Sequence, residues 1–148
     1  MADSFKFNID GLAKMNSALL GLEAKTGAAV LRRAGRKAMK PVEEAMRAGA
    51  RADTGQLKDS IGMQASTAKG RSSGRVARIT VGPLKKSSGR GANKKEFSKT
   101  NQKAIAQEYG NARQSADPFI RPALENRAES VIGDLVREFS TELTKVKK

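Results

Sequence analysis

A chain of 148 residues with no cysteine, no histidine and only 4% aromatic residues lacks the groups for disulfides, for thiol or imidazole chemistry and for most zinc sites. Its length suits one domain, 1–148, burying roughly 70% of the surface its unfolded form exposes, around a modest core of Leu, Ile, Val, Ala and Met. The net charge of +14 is concentrated: residues 69–103 carry eleven basic side chains against one acidic, whereas residues 104–148 carry seven of each.

No basic-then-apolar leader opens the chain and no stretch of 18 apolar residues is present, so a soluble protein made in a cytoplasm is expected. Phe5, Phe7 and Ile9 alternate with polar residues and predict a short strand. With Asp10 as N-cap, Leu12, Met15, Leu19 and Leu22 fall on one face of a first helix that ends near Glu23 to Gly27. A second helix is expected from about Gly27 to Gly49, with Leu31, Ala34, Ala38, Val42 and Ala45 inward. Pro41 removes a backbone hydrogen bond inside that pattern and predicts a kink, the alternative being two helices parted at Lys40. The basic residues from Arg32 to Lys40 are either a solvated face or a second anion-facing surface.

The chain reverses at Asp53, Thr54 and Gly55, the last able to take positive φ. Ile61, Met63 and Ala65 alternate, as do Ala77, Ile79 and Val81, and the Gly/Ser/Lys-rich link between them predicts an antiparallel hairpin. Lys69, Arg71 and Arg75 make its tip basic. Residues 83–103 have almost nothing to bury and are expected to form a mobile loop. Residues 104–110 fit either a strand or one helical turn.

A long terminal helix follows. Asp117 is its expected N-cap, Pro118 and Pro122 suit its first turn, and Phe119 is expected to plug the junction. Ile120, Leu124, Val131, Leu135, Phe139 or Leu143, and Val146 form its expected buried stripe. The fold class is therefore α+β: a small antiparallel sheet, made of the hairpin and the short N-terminal strand, packed against a long kinked helix and a long C-terminal helix.

No glycine is followed by the Lys-Ser/Thr spacing of a phosphate loop, and Glu43 with Glu44, or Asp53 with Asp59, are explained by helix and turn positions. No catalytic residue, cofactor or metal site is expected, and the chain is read as a non-enzyme.

Asp53-Thr54-Gly55-x-Leu57-x-x-Ser60-Ile61, Val81-Gly82-Pro83, Glu108-Tyr109-Gly110 and Pro118-Phe119-Ile120-Arg121-Pro122-Ala123 stand in this order. Together they resemble the tail-component or neck protein family of long-tailed phages and prophages. Ala52, Gln56 and Asn111 stand where that family often has a proline, a basic residue and a threonine. The resemblance implies a virion protein, assembled in the host cytoplasm, that completes the tail or joins it to the head as part of a homo-oligomeric, sixfold ring around the DNA channel. It also implies contacts with a tail terminator, a connector or stopper and the tail tube. From charge alone, Lys69, Arg71, Arg75, Lys85, Lys86, Arg90, Lys94, Lys95 and Lys99 are candidates to face duplex DNA. Two other classes remain: a free, sequence-independent nucleic-acid-binding protein using residues 69–103, for which Phe97 is the only stacking aromatic in the segment, and a small hydrolase, for which His, Cys and a metal cluster are missing.

Overall fold

A computed structural model describes residues 11–51, 55–69, 75–84 and 94–146. The expected strand at Phe5 to Ile9 and the expected cap Asp10 lie outside them, as do Asp53 and Thr54.

Helix α1 (Leu12–Leu20) starts from Gly11. Helices α2 (Ala24–Ala38) and α3 (Lys40–Gly49) form one long bent helix with its break at Met39. The bend is where Pro41 predicts it. Lacking an N–H, Pro41 tolerates a first-turn position, so α3 begins there as a new helix whose Val42 and Glu43 amides return to the Met39 carbonyl. The inward row is Val30, Ala34, Ala38, Val42 and Met46, all at most 4% exposed, with Leu31 and Ala45 partly covered.

Gly55, at φ 69°, starts a one-turn helix α4 (Gln56–Ser60), where only a turn was expected. Strands β1 (Ile61–Lys69) and β2 (Arg75–Pro83) pair antiparallel, with Met63 opposite Val81 and Ala65 opposite Ile79. The two expected apolar alternations thus share one face of the hairpin. That face packs on α2, where a Cβ added to Gly35 would meet Ile79 Cγ1 at 3.0 Å.

Two expectations are corrected. Residues 83–103 are not one loop: α5 (Lys94–Tyr109) occupies the second half and continues through 104–109, which are helix and not strand. Its inward positions are Thr100, Ala104, Gln107 and Glu108, each at most 3% exposed. This row has helical spacing but is three-quarters polar, so a search for apolar periodicity passes over it.

The terminal helix is also divided, into α6 (Ile120–Glu125) and α7 (Ala128–Val146), parted at Asn126 and Arg127. The break rotates the stripe. Val131 packs on the cluster of Val42, Met46, Ala50, Leu57, Ile61, Ala104, Phe119 and Ala123, and Leu135, Phe139 and Leu143 pack with Val30 and Ala34. Leu124 and Val146, expected inside, are 45% and 38% exposed. Phe119 does plug the junction, at 4% exposure.

One buried acid ties α7 to α2. Glu142 accepts hydrogen bonds from Arg33 Nε at 2.9 Å, Lys37 Nζ at 2.9 Å and Lys145 Nζ at 3.0 Å. The bonds from Lys37 and Lys145 outweigh burial and, with that from Arg33, hold its pKa at about 2 in place of the usual 4.5. A carboxylate depressed in this way stabilises the fold at pH values above about 4.5 and loses that contribution as pH falls toward 2. Thermal melts between about pH 6 and pH 3 should therefore show a steeper acid loss for the wild type than for Glu142→Gln. Parallel curves would contradict this role for Glu142.

Candidate functional site

Two of the four motifs, Glu108-Tyr109-Gly110 and Pro118 to Ala123, meet at the junction between α5 and α6. Gly110 ends α5 at φ 77°, and a Cβ there would lie 2.8 Å from the Ala116 backbone nitrogen, so only glycine fits. Asn111 then turns the chain, its Oδ1 accepting from the Arg113 and Gln114 amides. The returning strand of chain is fixed by the Asp117 amide, which donates to the Gln107 carbonyl at 2.7 Å.

The helix cap is not Asp117. The N-cap position is Phe119, which makes no side-chain cap bond, and Glu108 supplies the carboxylate from the end of α5. Its Oε2 accepts from the Phe119 and Ile120 amides, both at 2.9 Å, and its Oε1 accepts from the Arg121 amide and Arg121 Nε, both at 3.1 Å. Burial alone raises the Glu108 pKa, but the Ile120, Phe119 and Arg121 amides outweigh it and hold the group below its usual value. The anion therefore satisfies a helix start that would otherwise present free N–H groups. Asp117 instead pairs with Arg51 at 3.1 Å. Gln107 completes the stitching, donating to the Gly49 carbonyl and accepting from the Arg51 amide.

What this clamp leaves outside is specific. Tyr109 is 67% exposed with the Arg121 guanidinium 5.0 Å above its ring, and Ile105, one turn earlier on α5, is 52% exposed. Pro118 and Pro122 line a shallow groove with Ala45, Gly49, Phe119 and Ala123. Of the remaining motif residues, Leu57, Ser60 and Ile61 are buried, with the Ser60 hydroxyl donating to the Leu57 carbonyl. Gly82 and Pro83 end β2 opposite Gly62 and Ile61.

Of the DNA-facing candidates, Lys69, Arg75, Lys94, Lys95 and Lys99 fall in described elements. Lys69 and Arg75 are opposed at the hairpin end, Lys94 and Lys95 stand in the first turn of α5, and Lys99 lines an open cleft of about 480 Å³ with Arg51, Lys103 and Gln107. Arg71, Lys85, Lys86 and Arg90 lie outside the described residues.

A family model described as "Bacteriophage HK97-gp10, putative tail-component" matches residues 13–110. The chain belongs to this family. No curated protein and no solved structure matches it. The matched region of the HK97-gp10-like chain ends at Gly110, so the Glu108-Tyr109-Gly110 corner is its last feature, and Phe119 to Arg121 lie beyond it. Glu108 joins the two by hydrogen bonds to the Phe119, Ile120 and Arg121 amides.

Sequence reasoning found the corner and Phe119 but not the Glu108 bonds, because the cap reaches eleven to thirteen residues along the chain. It also missed Gln107, Arg51 and Glu142. No sequence signal marked Glu142, because Arg32 and Arg36 have the same spacing as Arg33 and Lys37 and only the latter pair meets it.

Proposed function

We propose that this HK97-gp10-like protein is a non-enzymatic structural component of the virion, placed at the head-to-tail junction. There, copies of it close into a sixfold ring around the DNA channel, between a connector or stopper, a tail terminator and the tail tube. Membership of the tail-component family carries the reading. The absence of His and Cys from the chain supports a structural role. No helix among the described residues is long and apolar enough to cross a membrane.

The geometry offers a contact surface for such a ring. Tyr109 and Ile105 present an aromatic and an aliphatic side chain beside Arg121, a composition typical of the centre of protein interfaces. The clamp holds Arg121 over the Tyr109 ring, so less ordering remains there for association to supply. A net charge of +14 opposes self-assembly in solution. The purified protein is therefore expected to be monomeric or weakly associated at micromolar concentration and physiological salt, and to close into a ring only with its neck partners. Light scattering, with and without those partners, measures this. A tight hexamer in the pure protein would contradict partner-dependent closure, and failure to form any ring with the partners would contradict the ring.

A further inference from the structure

Helix α2 is held on three sides and open on the fourth. Beneath it, Val30, Ala34 and Ala38 are buried. On one flank, Arg33 and Lys37 are held by Glu142, with Lys37 also 3.2 Å from Glu138. On the other flank, Ile79 of the hairpin packs against Gly35. At about 3.6 residues per turn, the side opposite the buried row carries Lys25, Ala29, Arg32, Arg36 and, past the bend, Lys40. Lys25, Arg36 and Lys40 are exposed and Arg32 is half-buried.

The structure sorts the cations of this helix into two sets. Arg33 and Lys37 are neutralised by α7. Among the described residues, Lys25, Arg32, Arg36 and Lys40 have no ion-pair partner, and α2 itself contains no Asp or Glu. The unneutralised row spans about 16 Å from Lys25 to Arg36 at 1.5 Å per residue, and Lys40 extends it.

We infer that this row is a docking surface for the phosphate backbone of duplex DNA, bound without regard to sequence. A protein partner needs an apolar centre to bury, and the only apolar residue on the row is Ala29, a side chain too small to anchor one. A phosphate backbone needs cations at intervals and a face flat enough for a rod to lie along. Arg32, Arg36 and Lys40 repeat once per helical turn, and Ala29 leaves the surface low between Lys25 and Arg32. The α7 ion pairs serve this surface by anchoring the helix from the flank while leaving the outward charges free. The inference stands on α2 and the first residue of α3 and does not require the ring.

The test is the binding of full-length protein to a labelled mixed-sequence duplex of about 30 base pairs, followed from about 50 to 200 mM salt. Arg32→Gln/Arg36→Gln/Lys40→Gln is compared with a control that removes the same charge elsewhere, Lys14→Gln/Arg113→Gln/Arg127→Gln. The row variant should bind about tenfold or more weakly at low salt and lose about two to three units of the log–log salt slope, at roughly one unit per phosphate contact. The control should stay within about twofold of the wild type. Arg32→Lys/Arg36→Lys, which keeps the charge, should bind as the wild type does, and this guards against an effect of misfolding. Equal losses in row variant and control would overturn the inference, as would loss in the charge-conserving variant. So would a wild-type protein that binds polyglutamate but not the duplex at low salt.

Discussion

Replacing Phe119 with alanine is expected to destabilise the protein by about 3–5 kcal/mol, the cost of lost transfer energy plus an unfilled cavity. The ring is 4% exposed and belongs to the cluster formed by Val42, Met46, Ala50, Leu57, Ala104 and Ala123. Collapse cannot easily fill the hole. Gly49 already lies so close that a Cβ there would be 2.9 Å from the Phe119 Cβ, and the backbone on the other side is fixed by Glu108. A fall in melting temperature of about 10 °C or more should follow for a chain of this size. A loss below about 1 kcal/mol would show that the side chain is not buried in solution and is presented to a partner.

Removing the Glu108 carboxylate should have a comparable effect through different physics. Glu108→Ala leaves the Phe119, Ile120 and Arg121 amides without their acceptor and the Arg121 side chain without its ion pair. Breaking a buried, hydrogen-bonded charge in this way costs on the order of 3 kcal/mol. Glu108→Gln keeps the shape and one acceptor oxygen, so about half that loss is expected. Amide hydrogen exchange at Phe119, Ile120 and Arg121 should accelerate in both variants while the hairpin amides of β1 and β2 change only with global stability. Exchange that stays slow at those three amides would mean that the carboxylate does not cap α6.

The contrast between what could and could not be read from the residues follows from the range of each interaction. The hairpin was legible because Ile61, Met63 and Ala65 face Val81 and Ile79 by simple alternation, which needs no knowledge of the rest of the fold. The bend at Met39 was legible because Pro41 acts on its own helix. Helix α5 was hidden because Thr100, Gln107 and Glu108 face inward, and the partners of Gln107 and Glu108 lie elsewhere in the chain, Gly49 and Arg51 for the first and Phe119 to Arg121 for the second. The cap of α6 was assigned to Asp117 because local rules favour an acid next to the helix start; the acid that does the capping comes from the preceding helix. Charge counting marked residues 69–103 as the anion-facing region and left Arg32 to Lys40 undivided. Only the position of Glu142 and Glu138 on α7 separates the paired cations of α2 from the unpaired ones.

The clamp sets how this corner meets solvent. Glu108 fixes Arg121, Arg121 covers Tyr109, and Tyr109 stands in solvent beside Ile105. A partner that meets this surface meets side chains whose backbone is already set by the fold.

We propose that copies of this protein form a ring at the head-to-tail junction. The most direct test of this proposal is electron cryomicroscopy of intact particles from a phage that encodes the chain, comparing the wild type with a particle whose copy carries a small C-terminal tag. The account predicts extra density confined to one symmetric layer between the portal and the tail tube. Density repeated along the tube, density at the distal tip, or a particle that lacks the protein altogether would contradict it.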